Sequence, residues 1–176
     1  MDTLIKPGEV APDFQLLDLQ SRSYSLAGWS GWIRVLNFWS AECTWCERVD
    51  HELTACLEAW KDSVQVSWIS SNANEGRDLV RKVAMERHIP TVLLDPDHRV
   101  ADLYGAQTTP HFFVVDGIGR LVYQGAWNDI TFRKRVATQV YVPHMVEALR
   151  LGRSPEISQT PPYGCVLVRF SAGGLI

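Results

Sequence analysis

Two cysteines three positions apart, in Cys43-Thr44-Trp45-Cys46, are the residues of this chain best equipped for chemistry. Such a pair supports thiol-disulfide exchange, supplies half of a zinc site, or does nothing beyond packing. The flanking sequence weighs these readings. Ahead of the pair, GWIRVLNFW is nearly continuous apolar sequence, the mark of a strand buried on both faces over 33–39. Behind it, Val49, Leu53, Cys56, Leu57 and Trp60 recur at helical spacing, which predicts an amphipathic helix from about Cys43 to Lys61. A strand that turns directly into a helix sets Cys43 at the helix N-terminus, where unpaired N–H groups and the positive end of the dipole favour a thiolate. Cys43 is therefore expected to attack and Cys46, one turn further in, to resolve the mixed disulfide. Glu42 and Glu47 raise the thiol pKa values if they face the sulfurs, so an extreme oxidant is not expected.

A structural zinc site needs four ligands. His51, His88, His98, His111 and His144 are scattered singly, and Cys56 lies on the apolar stripe, where a free cysteine packs. No metal and no cofactor are expected beyond a Cys43–Cys46 disulfide. Four cysteines are too few for a disulfide-framed secreted domain. A formal charge of −3 argues against nucleic acid, and the run Arg133-Lys134-Arg135 reads as a solvated helix face. The first residues lack the basic start and apolar run of a signal peptide, and no later segment has membrane-span length. A soluble monomer is expected, cytoplasmic unless a leader or anchor has been trimmed.

The elements that must hold the pair follow in order. FQLLDLQSRSYSL reads as a hairpin, VQVSWIS and TVLLD as strands, GRDLVRKVAMERH as a helix, and HRVADLYG as a short helix closed by Gly105. HFFVVD and LVYQGAW flank a turn and should pair antiparallel. Asp129 to Leu151 looks helical, with Ile130, Phe132, Val136 and Val140 as early apolar positions and a kink at Pro143. The pattern is an α/β domain over 1–151, followed over 152–176 by a Pro-rich tail with an edge strand over Val166 to Phe170.

VLNFWSAECTWC resembles the strand-loop-helix active site of the thioredoxin superfamily, in its TlpA-like and redoxin (AhpC/TSA-type) branches. PGEVAPDFQLLDLQ resembles the extra N-terminal hairpin of those branches, and TVLLDPDHRVADLYGAQTTPHFFVVDGIGRLVYQGAW resembles their second half. The resemblance covers about Ile5 to Leu151. It implies a thioredoxin fold, a central mixed sheet with helices on both faces. It also implies a cis bond at Thr109-Pro110, whose backbone binds a partner strand, and redox-homeostasis or antioxidant roles. Asn37 stands where thioredoxins keep a buried acid, and Glu75 then falls where TlpA-like relatives supply one, as a base for Cys46 if it is buried. Otherwise Glu75 is an exposed residue at a helix start. Thr44-Trp45 replaces the usual proline between the cysteines.

Cys165, in TPPYGCVLV, resembles the Gly-Cys that ends some redoxin relatives. It reads as the first residue of an edge strand, with a third redox thiol as the alternative. The expected activity is thiol-disulfide exchange with protein thiols and disulfides, and with a donor or acceptor protein. Trp39, Thr44, Trp45, Thr109 and Pro110 form the docking surface. A thiol-dependent peroxidase and a redox-idle binding module are the alternatives; Leu36 stands where a peroxiredoxin would need proline.

Overall fold

Seven residues of continuous apolar character form the centre of the fold. In a computed structural model that describes residues 4–171 and 174–175, β3 (Ile33–Trp39) is buried along its whole length. Its side chains alternate between two cores, as strand geometry requires. Ile33, Val35 and Trp39 join one cluster, and Leu36 and Phe38 the other.

The sheet grows outward from β3. It has the order β2-β1-β5-β4-β3-β7-β8. The hairpin of β1 (Gln15–Asp18) and β2 (Ser23–Ser25) lies antiparallel against β5 (Val92–Leu94). β4 (Val64–Ser70) runs parallel to both β3 and β5. β7 (His111–Val115) and β8 (Leu121–Gly125) complete the other side antiparallel. Parallel neighbours need crossovers, supplied here by α1 (Thr44–Trp60) and α2 (Arg77–Glu86). Both pack on one face with α4 (Tyr141–Arg150), through Leu53, Val80 and Val142 among others. The second face is closed by α3 (Arg99–Tyr104) and by Ile5, Ala11 and Phe14 of the N-terminal segment. This is the thioredoxin fold with the expected hairpin extension.

Three expectations need correction. Residues 129–140 are an irregular loop and not helix, because Asp129 gathers the chain locally: its carboxylate accepts from the Thr138 backbone N–H (2.9 Å) and the Lys134 ammonium. Phe132 and Val136 consequently face solvent, and Arg133-Lys134-Arg135 lies on a loop. Pro143 kinks nothing, since it occupies the first turn of α4, where no intrahelical N–H is needed. The last apolar run is not one strand. It begins as β9 (Cys165–Val166), which pairs antiparallel with β6 (Thr108–Thr109), and then turns inward at Leu167, which is buried. A further short pair, β10 (Phe170–Ser171) with β11 (Gly174–Leu175), follows.

Candidate active site

β3 ends at Trp39, three residues turn, and Cys43 becomes the N-cap of α1 in extended conformation (φ −82°, ψ 118°), its carbonyl accepting the Glu47 N–H at 3.1 Å. The turn is clamped from both sides. Glu75 accepts the Ala41 N–H (3.0 Å), the Glu42 N–H (3.2 Å) and the Ser40 hydroxyl, while Arg87 donates to the Ala41 carbonyl at 2.8 Å. Glu75 is half-buried, and its carboxylate oxygens are taken up by this loop.

Cys43 is 2% exposed and is disulfide-bonded to Cys165, with Cα atoms 6.1 Å apart. The expected Cys43–Cys46 disulfide is therefore not the one present: Cys46 is a free thiol, fully buried one turn into α1. The physical reason is the tail, whose β9 brings Cys165 level with Thr109. Burial holds the Cys46 thiol well above its ordinary pKa, and the negative charge of Asp50 adds to this. The Ser40 backbone and Arg87 act in the opposite direction.

Asp50 and Arg87 form a buried group that the sequence reading did not single out. The Asp50 carboxylate accepts from the indole N–H of Trp39 (2.8 Å) and Trp68 (2.9 Å), and pairs with the Arg87 guanidinium (3.0 Å). Its own pKa is raised by desolvation, against those three donors. A signal was present: Asp50 stands four residues after Cys46, beside Val49 on the apolar stripe. Trp39 belongs to this group. It is fully buried with its N–H committed, so it cannot be part of a docking surface, because strand alternation turns it towards α1.

The remaining predicted residues lie around Cys43. Thr44 is exposed. Trp45 is half-buried and meets the Tyr163 ring of the tail edge-on at 4.9 Å. The Thr109-Pro110 bond is cis, and the Thr109 carbonyl oxygen lies 2.9 Å from Cys43 Sγ. In the disulfide that sulfur has no proton to donate, so the contact becomes a hydrogen bond only when Cys43 is a thiol. Asn37 is fully buried between Trp68 and Phe112, and neither end of its amide finds a partner among the described residues. Cys56 is half-buried against the α1-side core. Among the described residues, no three His, Cys, Asp or Glu side chains are placed to hold a metal ion, and no helix is long and apolar enough to cross a membrane.

Comparison with known proteins places the chain. The AhpC/TSA family matches residues 7–124. The thiol-disulfide oxidoreductase ResA of Geobacillus thermodenitrificans is 31% identical over 125 residues, covering 68% of each chain. Among solved structures, a hypothetical protein from Sinorhizobium meliloti 1021 superposes with a TM-score of 0.86 at 26% identity, over 97% of this chain and 98% of that one. An uncharacterized conserved protein from Geobacillus kaustophilus gives 0.84 at 24% identity, over 97% and 95%. A match over most of the sheet, a CxxC at the head of α1 and relatives of this kind agree: the chain belongs to the AhpC/TSA family, as a thioredoxin-fold oxidoreductase of the thiol-disulfide class.

Proposed function

We propose that the chain exchanges electrons with protein disulfides or dithiols, with Cys43 as nucleophile and Cys46 as a resolving thiol. The observation that carries this reading is the seat of Cys43. Its sulfur lies at the N-cap of a 17-residue helix, against the Thr109 backbone of a strand edge. The helix end stabilises a thiolate, and the edge can hold an extended partner beside it.

Cys43 attacks one sulfur of a partner disulfide and releases the other as a thiolate. A second thiol of the chain then attacks Cys43 Sγ, freeing the partner fully reduced, two electrons richer. Dithiol oxidation is the same sequence reversed. We assign Glu75 a positioning role, since its oxygens hold the loop ahead of Cys43. Thr44 and Trp45, with Thr109 and Pro110, are left to contact the partner, and a protein donor or acceptor completes the cycle.

Reduction of insulin disulfides in the presence of dithiothreitol tests the reading. Turnover is expected for the wild-type chain and loss of it for Cys43→Ser; a Cys43→Ser variant that works as well as wild type defeats the assignment. A peroxidase reading has the breadth of the AhpC/TSA family behind it. Against it, Leu36 stands where a peroxiredoxin would need proline, and the hydroxyl of Ser40, three residues before Cys43, is committed to Glu75. Steady consumption of hydrogen peroxide with a thiol donor would favour it.

A further inference from the structure

The tail reaches Cys43 along a built path. Beyond the end of β8, Thr160 accepts the Ala126 N–H at 3.0 Å, and its own N–H donates to Gln124 O at 3.0 Å. The Tyr163 hydroxyl accepts the Phe132 N–H at 2.8 Å, and its ring covers Trp45. After Cys165, Leu167 N–H donates to Gln107 O (3.1 Å), Val168 N–H to the Asn72 side chain (2.9 Å), and Arg169 pairs with Asp102 at 2.8 Å. Gly164 permits the closest approach: a Cβ there would overlap the Thr109 carbonyl oxygen and lie 2.7 Å from the carbonyl carbon. Any larger residue at 164 would push the tail off the strand edge.

β6 is the short edge beside Cys43, and β9 lies on it in register, Thr109 opposite Cys165. A polypeptide that aligns its own sulfur with Cys43 has to present its backbone to this edge, so a docked partner and the docked tail exclude one another. With the tail in place Cys43 is shut off from solvent, while Cys165 remains half-buried.

We propose that Cys165 is a third redox residue, delivered to Cys43 by a built-in strand that stands in for a partner, so that the resting oxidised chain carries Cys43–Cys165 with Cys46 as a free thiol. The inference rests on Cys43 being the nucleophile. After Cys43 has formed a mixed disulfide with a protein partner, the partner's backbone gives up the β6 edge while its sulfur stays bonded, β9 takes its place, and the Cys165 thiolate attacks Cys43 Sγ. The Cys43–Cys165 bond forms, the Cys43–partner bond breaks, and the partner leaves as a dithiol that has gained the two electrons the chain has lost. A dithiol donor reverses this by attacking Cys165, the more accessible sulfur. Its first thiolate frees Cys43, and its second releases Cys165, the donor leaving as a disulfide. Cys46, deep and protonated, resolves Cys43 when the tail is away.

The test is disulfide mapping. The reduced full chain is oxidised with diamide, quenched in acid, alkylated with N-ethylmaleimide under denaturing conditions, and digested without reduction. The expected cross-link is Cys43–Cys165 with Cys46 alkylated, retained in Cys46→Ser and replaced by Cys43–Cys46 in Cys165→Ser. Gly164→Ala, checked for folding by circular dichroism, is expected to shift the cross-link to Cys43–Cys46. It should also raise iodoacetamide labelling of reduced Cys43 by about ten-fold or more, as an uncovered thiolate reacts faster. A wild-type map with only Cys43–Cys46 and a fully alkylated Cys165 overturns the inference and leaves Cys43 as nucleophile. A chain in which Cys43 enters no disulfide at all overturns both.

Discussion

Asp50 places a carboxylate inside an apolar core, and three donors make that arrangement stable: two indole N–H groups and a guanidinium. Removing one member of such a buried set leaves the others unpaired and costs about 3–5 kcal/mol. Asp50→Ala is therefore expected to lower unfolding free energy by that amount in urea titration, and Asp50→Asn by less, since its oxygen can still accept from one donor. A loss below about 1 kcal/mol for Asp50→Ala would mean that Arg87 and the two tryptophans find other partners. The place of Cys43 at the head of α1 was legible from strand, turn and helix order alone. Asp50 was not read, because an acid beside a stripe of Val49 and Leu53 looks like a helix-surface residue until Arg87, 37 residues away, is brought to it. Trp39 was misread for a related reason. A strand buried on both faces carries no polar alternation to show which way each side chain points.

At the scale of elements, the loop Ser40–Glu42 is held by Arg87 on one side and on the other by Glu75, a side chain that precedes α2. Glu75→Ala removes the acceptor for two backbone N–H groups and a hydroxyl, with an expected loss of about 2 kcal/mol on the scale of hydrogen bonds to a charged group. Because the loop sets the start of α1, the rate of Cys43 alkylation in the reduced variant should change as well; an unchanged rate with unchanged stability would remove Glu75 from the site. β3, β4, β7, α1 and the Gly105 end of α3 were readable, since periodicity and a left-handed glycine are local signals. The loop over 129–140 was not. Its apolar residues stand at helical spacing, yet Asp129 offers the backbone competing hydrogen bonds. The pairing of β6 with β9 was equally hidden, since two-residue strands more than fifty residues apart leave no pattern in either segment.

For the molecule as a whole, His111 couples folding to pH. It follows the cis bond at the start of β7, accepts the Gln107 N–H through Nδ1 and stacks on Phe113. Burial pushes its pKa down from 6.5 to about 4. In the unfolded chain the imidazole takes up a proton below about pH 6.5, whereas the folded chain resists until about 4. Stability therefore falls as pH drops through that window, by up to about 3 kcal/mol. Urea midpoints measured between pH 7 and 4 should show this decline, reduced in His111→Phe; the same slope in both proteins would assign the effect to other groups. The Cys43–Cys165 bond closes a ring whose ends are 122 positions apart. A cross-link of that span restricts the unfolded chain by about 5 kcal/mol on the chain-entropy estimate, against about 2 for a ring of four residues between Cys43 and Cys46. The choice of sulfur partner thus sets how firmly the molecule is folded, and a melting curve should resolve wild type from Cys165→Ser when both are oxidised, with the wild type melting higher. Each turnover would then tighten and loosen the whole chain, a redox state written as thermal stability.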